Sequence, residues 1–192
     1  MKRKKIIPNM NIEIPQEYRQ SLVPYPKEML EPMNLPEETF GFLTQVGLPR
    51  RASCEITPNV PLKFFEAPYV QPHAHLQNTF LYVGSMESMG LIAIDVKNQG
   101  VFQIQEIEND LWVPWVMNDS IKGFVECLGL WLSFYPQLRE EVGRQLAQNQ
   151  SFSLFDHEEL YQPVLQKMKE ADPKGLREYK FFWRRMCQPD IV

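Results

Sequence analysis

The stretch from Thr79 to Ile107 limits what this chain can fold into more than any other. Three β-rich runs, 79–83, 90–96 and 100–105, are separated by turns that carry Gly84, Gly90 and Asn98-Gln99-Gly100. Short β-branched and aromatic runs bounded by Gly, Asn and Ser read as an antiparallel meander. In the third run Val101, Phe102, Ile104 and Ile107 interleave with Gln103, Gln105 and Glu106. The second run is apolar on both faces (Leu91, Ile92, Ala93, Ile94, Val96), which predicts a central strand covered on both sides.

The rest of the chain has to supply that cover. A chain of 192 residues, 44% hydrophobic and 23% charged, can fill the core of one domain, 1–192. A net charge of −4 argues against nucleic acid as a partner, which calls for a basic face. Cys54, Cys127 and Cys187 are odd in number and lack CxxC spacing, so reduced thiols are expected rather than a disulfide framework or a zinc site. The basic start, Met1 to Lys5, has no apolar h-region after it, and no run approaches the roughly 18 apolar residues of a membrane span. A soluble, cytoplasmic protein is the expectation.

Eleven of the sixteen prolines lie between residues 8 and 72 and predict a loop-rich first third with a short helix or turn near 15–22. The first strong helix is predicted over 36–47. Pro36 suits its first position, Glu37 and Glu38 suit the positive end of the dipole, and Phe40, Leu43 and Val46 form an apolar face. Gly47 supplies a left-handed cap and Pro49 forbids continuation. Leu62 to Phe65 reads as an edge strand between prolines. His73 and His75 lack a nearby third ligand and read as loop histidines. Arg50-Arg51-Ala52-Ser53 matches a basophilic kinase site, a pattern too short to carry weight.

Leu111 to Val116 predicts a fourth strand, with Trp112 and Trp115 sharing a face or framing a corner. Asn118-Asp119-Ser120 are three cap-type residues before a helix bearing Ile121, Phe124, Leu128, Trp131 and Tyr135, within which Gly123 and Gly129 imply close packing against the sheet. Pro136 is expected to break or kink that helix before a second pattern runs to about 148. Asp156 and Glu159 open a third helix through 171. Asp172-Pro173 begins a last one, striped by Leu176, Tyr179, Trp183 and Met186.

No GxSxG, HExxH, P-loop or GxGxxG motif is present. The Ser-rich segment Gly84 to Gly90 lacks the lysine and the following helix of a phosphate loop and reads as a hairpin connection. Asp95, at a strand end, reads as a turn residue. No catalytic residue, metal or cofactor is expected. A binding surface needs aromatic anchors and complementary charge, and Glu106, Glu108, Asp110, Trp112 and Trp115 bring both together. Their carboxylates could take phosphate-contacting positions in a basic cleft. The competing reading makes the tryptophans core residues and the carboxylates a solvated turn.

The order of elements resembles the SUKH superfamily, above all its bacterial immunity-protein branch. The residues that carry this are Phe42-Leu43 with Gly47-Leu48-Pro49, Leu81-Tyr82-Val83-Gly84, Leu91 to Asp95, Gly100 to Ile104 and Asn118-Asp119-Ser120. Asp172-Pro173 with Phe182-Trp183 looks like one subgroup of it. The resemblance implies an α+β domain, an antiparallel or mixed sheet flanked by helices, with a core at about 36–135 and C-terminal helices at about 136–188. It also implies a non-enzymatic module that neutralises a cognate protein toxin, often a nuclease or nucleic-acid deaminase, by binding it. A regulatory or scaffolding role without a toxin is the alternative that the same fold allows.

Overall fold

The computed structural model describes residues 10–50, 54–57, 60–72, 76–108, 111–148, 158–173 and 182–187. The N-terminal segment contains helices α1 (Gln16–Gln20), α2 (Lys27–Leu30) and α3 (Glu37–Gln45). Strands β1 (Leu22–Val23) and β2 (Leu48–Pro49) pair with each other there. A second sheet runs in chain order through β3 (Cys54–Thr57), β4 (Val60–Gln71), β5 (Phe80–Met86), β6 (Gly90–Asp95), β7 (Val101–Glu108) and β8 (Leu111–Asn118). All five pairings are antiparallel. Helices α4 (Ile121–Gln148), α5 (Gln162–Ala171) and α6 (Phe182–Met186) follow, so the fold is α+β with C-terminal helices.

The central meander lies where its alternation puts it. Leu62 to Phe65 differs from expectation: it belongs to the twelve-residue β4, one strand in from the edge that β3 forms. Its prolines are tolerated because Pro61 pairs beside a register shift, and Pro68 falls in the irregular stretch between Phe64 and Tyr69. In α3 the apolar face is narrower than the spacing suggested, with Leu43 buried and Val46 39% exposed. Gly47, at φ 83°, turns the chain so that Leu48 occupies the core position instead.

Helix α4 is one continuous 28-residue element, and Pro136 lies inside it without ending it. An interior proline costs about 3 kcal/mol. The buried Leu130, Trp131, Phe134 and Leu138 around it each contribute roughly 1.5–3 kcal/mol, so packing outweighs the lost hydrogen bond. Neither helical glycine serves packing on the sheet. A Cβ on Gly123 would lie 2.8 Å from Asp172 Oδ2, and one on Gly129 would lie 2.8 Å from Ile14 and from Tyr18. Gly129 thus admits the N-terminal arm, where the Tyr18 hydroxyl donates to the Val125 carbonyl at 2.7 Å.

Of the three cap-type residues, Ser120 caps α4, its Oγ accepting the Gly123 N–H at 3.1 Å. Asn118 does something else. It is 1% exposed; its Nδ2 donates to Asp172 Oδ2 at 2.7 Å and its Oδ1 accepts the Trp183 indole N–H at 2.8 Å. The Asp119 N–H adds a bond to Asp172 Oδ2 at 3.0 Å. One buried amide therefore ties β8 to the end of α5 and to α6. Trp183 in turn packs against Phe124 and Trp131, with ring centroids 6.2 and 6.1 Å away.

Replacing Asn118 with Ala leaves the buried Trp183 indole N–H without its Asn118 acceptor and takes one hydrogen bond from the buried Asp172 carboxylate, which should cost about 3 kcal/mol. Ser120→Ala removes one cap bond and should cost about 1 kcal/mol. Urea unfolding followed by tryptophan fluorescence measures both, and the reverse order would show that Asn118 acts merely as a cap.

Candidate functional site

The β7–β8 hairpin holds the residues singled out for binding. Strand register pairs Glu106 with Trp112 and Gln103 with Trp115, without a shift between them. Because successive side chains alternate, Trp112 and Trp115 point to opposite faces of the sheet rather than sharing one. Gln103 also pairs with Ile92, a main-core residue, so Trp115 lies on the core side, half-buried. Glu106 and Glu108 are exposed and Glu108 pairs with Leu111. Asp110 lies outside the described residues. The structure thus brings Glu106 and Trp112 together, keeps Glu108 beside them, and separates Trp115.

Two apolar residues at this hairpin tip read from the sequence only as strand residues and are not among those singled out for binding. Ile107 is 52% exposed and Leu111 47%. Period-2 alternation assigns Ile107 to the buried set, but the register shifts between Glu106 and Glu108 and releases it to solvent.

Trp112 joins a second apolar cluster on the sheet face turned away from the main core. Its buried members are Phe80, Tyr82, Ala93 and Ile104, flanked by the half-buried Phe65, Leu76, Leu91 and Phe102. All except Leu76 are strand residues, and among the described residues no helix contributes to it. The expectation of cover on both sides is met by aromatic rings laid across the pleat. Tyr69 stacks on Phe65 and on Tyr82, with centroids 5.7 and 5.3 Å apart, and Phe80 meets Phe102 edge-on at 5.5 Å. Tyr69 itself is 39% exposed. Half-wet aromatics on an otherwise sealed sheet form a patch of the composition that dominates interface energetics.

The other singled-out groups have structural work. Asp95 is fully buried, and its carboxylate accepts the N–H groups of Lys97 and Asn98 at 2.8 and 3.0 Å and the Asn78 amide at 2.6 Å. That arrangement pins the β6–β7 turn. Cys127 and Cys187 are buried and unpaired; burial pushes the Cys127 thiol up to about 12 and the Cys187 thiol upward as well, so both stay protonated. The side chain of Cys54, and residues His73, His75 and Arg51 to Ser53, lie outside the described residues. Among the described residues no group of three or more His, Cys, Asp or Glu could hold a metal, and no helix is long and apolar enough to cross a membrane.

The architecture defines an α+β class: an antiparallel meander with one face packed under helices and the other sealed by its own aromatics. A family model described as SUKH-4 immunity protein matches residues 17–188, and the chain belongs to that family. Comparison with curated proteins and with solved structures gives no match.

The aromatic face also titrates. Burial, and then the neighbouring Tyr69, push the Tyr82 hydroxyl from 10.0 up to about 12; burial does the same to Tyr25, partly offset by Arg50. Because folding raises these pKa values, their contribution is fully present below pH 10.0 and is lost as pH rises through about 12. Chemical-denaturation midpoints should therefore decline between those limits, with absorbance at 295 nm showing late-ionising tyrosines. Ionisation of all tyrosines near pH 10.0 in the folded protein would contradict the assignment.

Proposed function

We propose that this protein is a bacterial immunity protein that neutralises a cognate protein toxin in the cytoplasm by binding it, without chemistry of its own. The observation that carries the reading is the sheet face that no helix covers among the described residues, ending at the Glu106–Trp112 pair, in a chain of the SUKH-4 immunity protein family. Trp112 and Tyr69 serve as aromatic anchors whose partners are already sealed from water behind them, so docking desolvates few polar groups. Glu106 and Glu108 form an acidic margin, and Ile107 and Leu111 supply apolar contact at the tip.

Occlusion follows from that arrangement. A toxin that acts on nucleic acid, such as a nuclease or a nucleic-acid deaminase, needs cations where it holds phosphates. Carboxylates on this hairpin can take those positions, which blocks substrate and raises the association rate. Trp115 is left out of the contact surface because it lies on the core side.

The test takes as candidate toxin the product of the gene immediately upstream. Wild-type protein should bind it and abolish its activity. The double variant Glu108→Lys with Trp112→Ala should raise Kd at least tenfold, about 1.4 kcal/mol, while circular dichroism and the unfolding midpoint show a folded protein. Raising salt should slow association of the wild type more than of the variant. Unchanged affinity in the double variant would remove this face from the reading.

A further inference from the structure

A second surface lies on the helical side of the molecule, where α3 meets the first turn of α4. The groove between them has a volume of about 370 Å³. Gly41, Phe42, Val46 and Ile121 give it an apolar lining, with Glu37 and Glu38 at one end. It opens beside a second cavity of about 480 Å³, to which Asp119 and Asp172 contribute and with which it shares Glu38, Gln99 and Ser120.

Two independent features set this groove apart. Gly41 sits in mid-helix, where glycine weakens a helix relative to alanine. A Cβ added there would meet nothing nearer than Gln45 Nε2, at 3.9 Å. Packing among the described residues therefore does not require glycine at this position, in contrast to Gly123 and Gly129. A missing side chain on a groove floor lets another backbone come close. Val46 is the second feature: it is exposed and lies one turn beyond Phe42 on the same side of α3, continuing the apolar strip.

Charge selects the occupant. Glu37, Glu38, Asp119 and Asp172 line the joined cavities against Lys122, a formal −3. The N-terminal ends of α3 and α4 together offset about +1 of this. The field therefore favours a cation, and the apolar strip favours an aliphatic neighbour.

We propose that this groove is a second protein-docking site, taking a partner segment that sets an apolar side chain over Gly41 and Phe42 and an arginine or lysine against Glu38. It is separate from the β7–β8 face and does not depend on it.

The test is a ¹⁵N–¹H correlation titration of the full chain with a blocked helical peptide of alanines, leucines along one face and arginines beside them. A matched peptide with glutamate in place of arginine is the comparison. Amide shifts should map to residues 37–46 and 120–122, with the arginine peptide bound at least tenfold more tightly. Gly41→Leu should abolish binding. Gly41→Ala and Gly143→Ala should both raise the thermal midpoint by a few degrees, since neither added Cβ meets close contacts. Only Gly41→Ala should weaken the peptide. Shifts that map elsewhere, equal binding of the two peptides, no binding of either, or wild-type affinity in Gly41→Leu would each overturn the proposal. Because the probe is synthetic, its failure leaves the toxin reading intact, and a toxin that fails to bind leaves this one intact.

Discussion

The amide of Asn118 is the interaction on which the helical half of the structure depends. It stands at the end of β8, fully enclosed, where α4 begins, α5 ends and α6 packs down. A buried amide must find partners for both its ends. Here one end meets the Asp172 carboxylate and the other the Trp183 indole, so the polar requirement of a single residue fixes the positions of two helices. The geometry leaves no room for error at Gly123, whose hydrogen stands where a methyl group would strike Asp172. Because Asp172 also accepts the Asp119 N–H, its carboxylate sits at the positive end of a 28-residue helix.

This anchoring makes the sheet asymmetric. Helix α4 and the elements tied to it supply the large rings Phe124, Trp131 and Phe134 to one face. Among the described residues the other face is shielded by the strands and Leu76, with tyrosine and phenylalanine in place of a second helical layer. Aromatic rings can close such a face because each covers a large area and packs edge-on or offset against its neighbours. The same solution leaves Trp112, Tyr69, Phe65 and Phe102 partly in water. Under the proposed function, a surface sealed below and half-wet above is the one a partner would complete, and the acidic hairpin margin would set that partner's sign of charge.

Much of this was legible in residue order. The meander announced itself through turn residues and β-branched runs, and Ser120 through its place before a helical stripe. The SUKH likeness rested on short motifs in sequence, and the family match over 17–188 bears it out. What failed to show had a common cause. Val46, Ile107 and Pro136 were assigned from local periodicity or propensity, and each was decided by something outside its window. For Val46 it was the turn at Gly47, for Ile107 a register shift, for Pro136 the burial of the side chains around it. Trp112 and Trp115 were grouped by nearness in sequence, although a spacing of three in a strand places them on opposite faces.

The sequence by itself determined the element types, the meander at their centre, the cap of α4 and the pool of acidic and aromatic residues from 106 to 115, because these depend on spacing, propensity and turn chemistry within a few residues. Tertiary structure alone decided that Asn118 is a buried junction with residues 54 and 65 positions away, and that Gly129 admits an N-terminal arm. It alone covered one face of the meander with aromatic rings and, among the described residues, with no helix. Such outcomes depend on which distant groups compete for the same buried space and the same hydrogen bonds, and no local pattern carries that information.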